Sequence, residues 1–94
     1  MKIRTALLSF GMSGRVFHAP FITEHPGFEL TGAWERSKKL LHQHYPAAKS
    51  YPSLESVLQD ETVSLIVVNT PTYSHYELTK KALEANKHVV VEKA

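Results

Sequence analysis

A glycine turn directly after an apolar run constrains the fold of this chain more than any other feature. Residues 3–10 have the pattern of a strand, and Gly11 and Gly14 follow it at the start of a predicted helix. Such a helix presents unpaired N–H groups and the positive end of its dipole, which suits a phosphate group. Gly11 would let phosphates approach the backbone, and Gly14 would let the helix pack closely on the strand. Ser9 stands where the usual three-glycine fingerprint has its first glycine, and a purely structural turn is the alternative explanation.

Apolar and amphipathic segments alternate along the chain, and this alternation predicts the fold class. Strands are expected at residues 3–10, 28–34, 50–51, 63–69 and 88–91. Helices are expected at residues 15–24 and 37–44, after Ser53 and after Pro71. Regular alternation of this kind forms right-handed crossovers and a parallel sheet covered on both faces. We therefore expect an α/β fold over residues 1–94: an incomplete, doubly wound, Rossmann-like parallel sheet of about five strands.

Several predicted helices carry recognisable end signals. The first, residues 15–24, should break into two short helices at Pro20, which cannot donate a backbone hydrogen bond. Ser53 is the expected N-cap of the third helix. The last helix begins with the capping-box pattern of residues 74–77 and ends at Asn86, a residue type that tolerates the left-handed conformation.

Polar, charged or turn-forming residues follow four of the predicted strands. These segments are residues 11–14, 35–38, 69–71 and 92–93. The carboxyl ends of parallel strands share one edge of the sheet, and ligands bind there, near the point where the strand order reverses. Agreement among separate strand ends indicates a ligand site at this edge more strongly than the glycine turn does alone.

Glu35 lies at the end of the second predicted strand, about 20 residues beyond the glycine turn, where a carboxylate can accept hydrogen bonds from both hydroxyls of an adenosine ribose. A solvated acid at a strand end is the alternative. Arg36, Ser37 and Lys38 follow, and they could hold a 2′-phosphate that Glu35 would repel. NAD and NADP both stay open, with a small preference for NAD because Glu35 is expected to face the ribose directly.

Composition argues against several other classes of site. The 94 residues contain no cysteine, which excludes disulfides and thiolate metal sites within this sequence. His42 and His44 would point to different faces of a helix, and His18 and His75 lack a clear third ligand, so no metal site is expected. A net charge of +2 with scattered cations does not favour nucleic acid. No signal peptide or membrane span is recognisable, which is compatible with a cytoplasmic location.

Three segments together resemble a known enzyme family. Residues 10–20, 68–75 and 87–93 are similar to the N-terminal NAD(P)-binding domain of Gfo/Idh/MocA oxidoreductases, which are NAD(P)-dependent sugar, inositol and related dehydrogenases. The resemblance covers the whole chain, and the combination of segments is far more specific than any one of them.

The resemblance implies roles for the matching residues. The cofactor-binding set would be Ser9, Gly11, Met12, Ser13, Gly14, Arg15, Glu35, Arg36, Lys38, Asn69, Thr70, Pro71, His75 and Glu92. Residues 11–15 would contact the pyrophosphate, Glu35 with Arg36 the adenosine ribose, and Glu92 the nicotinamide ribose. Lys93 would be catalytic, sitting beside the substrate and assisting proton transfer. Two departures are Ser9, for the first glycine, and Ala94, for the proline of the family's Glu-Lys-Pro motif.

Family members run to a few hundred residues, with a second domain that supplies the substrate pocket. The resemblance therefore implies that this chain is part of a larger polypeptide and is inactive alone. The parent protein, expected to be a homo-oligomer, would transfer hydride between NAD or NADP and a sugar, inositol or related polyol. The alternative is a non-catalytic, dinucleotide-sensing regulator, because fold does not fix function. The presence of both Glu92 and Lys93 favours the enzyme.

Overall fold

A five-stranded parallel sheet forms the centre of the molecule. The computed structural model describes residues 2–11, 14–35 and 40–92. The strands are β1 (Ile3–Leu7), β2 (Phe28–Trp34), β3 (Lys49–Tyr51), β4 (Leu65–Val68) and β5 (His88–Val91). Their order in the sheet is β3-β2-β1-β4-β5, and every neighbouring pair is parallel. The predicted fold class is confirmed, and β2 and β5 have the predicted bounds.

Short helical segments connect the strands. A π-helical turn (Gly14–His18) leads into α1 (Ala19–Glu24), and α2 (Leu41–His44) precedes β3. Helix α3 (Leu54–Gln59) precedes β4, and a 3₁₀ turn (Thr72–Ser74) leads into α4 (His75–Glu84). These segments cover both faces of the sheet, as right-handed crossovers require.

Side chains of the central strands alternate between two apolar cores. Ala6 and Leu8 contribute to the core beneath α3 and α4, whereas Leu7 contributes to the core beneath α1 and α2. In β4, Ile66 and Val67 divide between the two cores in the same way. Because successive side chains of a strand point to opposite faces, a strand buried on both sides is apolar throughout. Full burial of each such leucine or isoleucine contributes about 1.5–3 kcal/mol.

Two of the predicted helix signals are confirmed, and one is wrong. Ser53 caps α3 through a capping box with Ser56, and Asn86 adopts the left-handed conformation, with φ of 63°. Ser74, in contrast, makes no side-chain cap to α4: its backbone is helical, because it ends the preceding 3₁₀ turn, and its hydroxyl donates to Pro71 O at 2.6 Å. The helical segment changes type just before Pro20: the π-helical turn ends at His18 and α1 begins at Ala19. Pro20 lies in the first turn of α1, where proline is tolerated.

A polar cluster anchors the end of α3 to the sheet. Asp60 accepts hydrogen bonds from Tyr51, Thr62 and Lys49, and the buried Lys87 donates to Asp60 O at 2.8 Å. Burial acts to raise the pKa of the Asp60 carboxyl, but the hydrogen bonds outweigh it and hold that pKa well below its usual range. Burial and the bond to Asp60 raise the pKa of the Tyr51 hydroxyl. This cluster is structural.

Candidate dinucleotide-binding site

The predicted ligand edge of the sheet is centred on the crevice between β1 and β4. The strand order reverses here, because β2 lies on one side of β1 and β4 on the other. A side-chain bond closes the base of the crevice: Asn69 Nδ2 donates to Ser9 O at 2.8 Å. The segments after β1 and β4 are thus adjacent, as the sequence predicts, at the position where ligands bind to sheets of this kind.

The glycine turn leaves open space at Gly11. Its N–H donates to Ser9 Oγ at 3.2 Å, and its carbonyl accepts from Arg15 N at 2.9 Å. Within the described residues, a Cβ built on Gly11 would meet only Ser9 Oγ, at 3.5 Å, and no glycine of the described chain has a positive φ. The part of the fold that the structure describes therefore does not require glycine here, whereas a bound phosphate would. Ser9, which stands at the position of the first glycine, stabilises the turn with its hydroxyl.

Gly14 has a different role, which is packing. A Cβ at Gly14 would lie 2.5 Å from Ser9 O and 3.0 Å from Asn69 Nδ2. Any larger residue would push the helical turn away from the strand ends and strain the Asn69–Ser9 bond. This confirms the expectation that Gly14 permits close packing of helix on strand. Met12 and Ser13, between the two glycines, lie outside the described residues.

The segment after β4 is held in one conformation by its own side chains. His75 Nε2 lies 2.7 Å from Thr70 O, and a carbonyl can only accept, so Nε2 carries a proton. Since the Ser74 hydroxyl donates to Pro71 O, Thr70 Oγ1 donates in turn to Ser74 Oγ, at 2.6 Å. The structure therefore places Thr70, Pro71 and His75 on one ordered segment beside the crevice.

At the end of β5, Glu92 is paired with a histidine from the other side of the crevice. The Glu92 N–H continues the sheet by donating to Val68 O at 3.1 Å. Its Oε2 accepts from His18 Nε2 at 2.6 Å. Sequence reasoning treated His18 only as a poor metal-ligand candidate and missed this pairing. In the described part of the chain, no group of three metal-ligating side chains occurs.

Glu35 requires a correction. Its side chain is buried, with 4% exposure, so the alternative of a solvated acid is wrong. Oε2 accepts from Leu40 N at 2.8 Å and from Leu41 N at 3.0 Å, and Oε1 accepts from Ser50 Oγ at 2.8 Å. The carboxylate thus caps α2 and ties it to β3. In this structure the carboxylate is directed at donors of the chain itself, whereas the small preference for NAD assumed that Glu35 faces the ribose directly.

Several predicted site residues lie outside the described residues. These are Met12, Ser13, Arg36, Lys38 and Lys93. Those that the structure brings to the crevice are Ser9, Gly11, Gly14, Arg15, Asn69, Thr70, Pro71, His75 and Glu92. Arg15 is exposed in the first turn of the helical segment. The glycine turn, the start of the helical segment and the open space at Gly11 fit a dinucleotide pyrophosphate.

A parallel sheet of this order, with a glycine turn at its central crevice, defines a Rossmann-type nucleotide-binding domain. The chain belongs to the Gfo/Idh/MocA family, because residues 3–93 match the family model described as an oxidoreductase family with an NAD-binding Rossmann fold.

Individual relatives agree with this assignment. An uncharacterized oxidoreductase of Schizosaccharomyces pombe is 40% identical over 97% of this chain, which corresponds to 26% of that protein. The scyllo-inositol 2-dehydrogenase (NADP⁺) of Bacillus subtilis is 32% identical over 97% of this chain and 25% of its own length. A crystal structure of a protein described as an oxidoreductase from Bacteroides fragilis is 53% identical, with a TM-score of 0.93 over 98% of this chain and 29% of that one. The chain therefore spans about a quarter of the length of the curated relatives it matches.

Among the described residues, no helix is long and apolar enough to cross a membrane.

Proposed function

We propose that residues 1–94 are the dinucleotide-binding domain of an NAD(P)-dependent oxidoreductase. The observation that carries this proposal is the contrast between the two glycines at the crevice. Gly14 is required by packing, whereas Gly11 borders open space that only a ligand would need. The helical segment starting at Gly14 adds the N–H groups and dipole that favour a phosphate.

Different residues along the crevice bind different parts of the dinucleotide. The glycine turn, residues 11–15, holds the pyrophosphate, and the segment from Thr70 to His75 flanks the nicotinamide half. Glu92 accepts hydrogen bonds from the nicotinamide ribose. The nicotinamide ring, when bound, accepts or donates the hydride. Lys93 assists proton transfer at the substrate hydroxyl, as a positioned general acid or base.

The substrate class is a sugar, an inositol or a related polyol. The support is the family resemblance together with the Bacillus subtilis relative, which acts on scyllo-inositol. The remaining part of the parent protein supplies the substrate pocket. The alternative is a non-catalytic regulator. Incubation of the full-length protein with a panel of polyols and NAD or NADP tests it, because only an enzyme reduces the cofactor.

The direction of the Glu35 carboxylate supports a proposal on the choice between NAD and NADP. Its charge is turned towards the amides of α2 and the hydroxyl of Ser50, so its repulsion of a 2′-phosphate is reduced. Three cations follow it in the sequence, at positions 36, 38 and 39. We infer that the domain accepts NADP at least as well as NAD. Titration of the full-length protein with each dinucleotide tests this, and a tenfold tighter affinity for NAD would contradict it.

The different surroundings of Gly11 and Gly14 provide the test of the proposed function. Gly11→Val in the full-length protein should weaken dinucleotide affinity at least tenfold, about 1.4 kcal/mol, with little change in melting temperature. Gly14→Val should also lower the melting temperature, because the added side chain meets Ser9 O. Calorimetric titration and thermal unfolding measure the two effects. Unchanged affinity in Gly11→Val, or no binding by the wild type at millimolar concentration, would overturn the assignment.

A further inference from the structure

We propose that His18 is a positioning residue that fixes the Glu92 carboxylate for the nicotinamide ribose. The inference rests on the proposed function and extends it to a residue for which the sequence suggested no such role. It makes His18 the link between the phosphate-binding turn and the end of β5.

Two attachments from different elements determine where Glu92 lies. Its backbone N–H is bound to Val68 O of β4, and its Oε2 is bound to His18 Nε2 at 2.6 Å. His18 is the last residue of the π-helical turn that begins at Gly14, so it is carried by the same segment as the pyrophosphate site. The partners are 74 positions apart in the chain, and their pairing spans the crevice.

The pairing leaves one carboxylate oxygen available to a ligand. Within the described residues, His18 is the only recorded hydrogen-bond partner of the Glu92 carboxylate, and it occupies Oε2 alone. An ionised carboxylate has about four acceptor positions, so Oε1 can accept from ribose hydroxyls while Oε2 stays bound. Because Oε2 can only accept, His18 Nε2 is the donor. The histidine thereby fixes the rotation of the carboxylate and the direction of Oε1.

The partial exposure of His18 and Glu92 argues that their pairing does more than stabilise the fold. The side chains of His18 and Glu92 are 25% and 27% exposed, so the pair is accessible to solvent rather than sealed in a core. Polar side-chain pairs at such accessible positions contribute little to folding stability. Fixing the direction of a ligand-binding carboxylate needs no larger contribution, since it only restricts the rotation of one side chain. Lys93, the proposed catalytic residue, follows Glu92 directly in the sequence.

The test compares a whole dinucleotide with a probe that ends before the nicotinamide ribose. ADP contains the adenosine and the two phosphates, and NADP and NAD add the second ribose and the ring. In the full-length protein, His18→Leu should weaken binding of NAD or NADP about tenfold, or about 1.4 kcal/mol, and leave ADP affinity unchanged within about twofold. His18→Gln, whose amide can still donate to Oε2, should retain most of the dinucleotide affinity. His42→Leu, the same change at an exposed histidine of α2, is the matched control.

A double-mutant cycle completes the design. If His18 acts through Glu92, His18→Leu combined with Glu92→Gln should weaken dinucleotide binding no more than Glu92→Gln alone. Equal weakening of ADP and dinucleotide in His18→Leu, or full additivity in the cycle, would overturn the positioning role. A wild-type protein that binds neither probe would instead overturn the proposed function, so the two failures are distinguishable.

Discussion

At the scale of single residues, Glu35 determines the local architecture beside the crevice. A buried carboxylate is costly unless it is satisfied, and Glu35 accepts from two backbone amides of α2 and from the Ser50 hydroxyl. The two amides belong to the unpaired N–H groups that every helix has at its start. One side chain therefore joins the end of β2, the start of α2 and β3.

Glu35→Gln should consequently destabilise the fold without switching cofactor preference. Glutamine replaces one of the two accepting oxygens by an NH2 group, which only donates, so at least one buried partner loses its acceptor, at a cost of about 1–3 kcal/mol. Urea unfolding of the full-length protein measures this loss. Glu29→Gln is the control, because Glu29 is an exposed partner of Arg4 and its loss should cost about 1 kcal/mol or less. A tenfold change in the ratio of NAD to NADP affinity with unchanged stability would contradict this account of Glu35.

At the scale of elements, β5 is one of the two edge strands that the described residues form. Val90 and Val91 are 49% and 42% exposed, although they belong to an apolar strand. Apolar grooves lie on both faces of this edge, one of about 470 Å³ lined by Leu83 and Val91 and one of about 280 Å³ lined by Phe17 and Val90. An apolar strand with unpaired ladder groups invites pairing with another strand.

Residues 1–94 produced alone should therefore self-associate through β5. Sedimentation over a rising concentration series measures this, and Val90→Lys should reduce the association because a charge on an edge strand opposes pairing. Thr72→Lys, which adds the same charge at an exposed position outside the sheet, should leave it unchanged. A wild-type fragment that stays monomeric at millimolar concentration would show that the edge does not associate.

At the scale of the whole molecule, we propose that this chain is the cofactor-binding part of the protein. It spans about a quarter of its relatives, and the proposed catalytic residue comes at position 93, close to the end of the matched segment. Substitutions of the crevice residues should therefore affect cofactor binding, whereas substitutions of Lys93 should affect catalysis.

Lys93→Met in the full-length protein should remove most turnover while leaving dinucleotide affinity nearly unchanged. Loss of a positioned acid or base typically costs about 10²–10⁴-fold in rate. Steady-state kinetics measure kcat, and calorimetric titration measures the dissociation constant of the cofactor. Retention of full activity would show that Lys93 is not catalytic.

The sequence could predict the topology because it depends on periodicity and on the order of elements. Two-sided burial made β4 continuously apolar, and the polar residue types after each strand marked the ligand edge. The directions of individual side chains could not be predicted in this way. Glu35 has the expected position but turns towards α2, and His18 meets Glu92 only because the π-helical turn and β5 converge. Both results depend on angles between elements, which residue spacing does not encode.

The strand order also has a consequence for biosynthesis. β1 is made first, and its neighbour β4 pairs with it through Thr5 and Leu65, sixty positions later. On the ribosome, β1 and β2 can associate early, but the crevice is absent until β4 has emerged and joined the sheet. Non-local pairing of this kind is intrinsically slow. A nucleotide in the cell can therefore stabilise the nascent chain only late, after the sheet centre is assembled, because a ligand stabilises only the state that it binds.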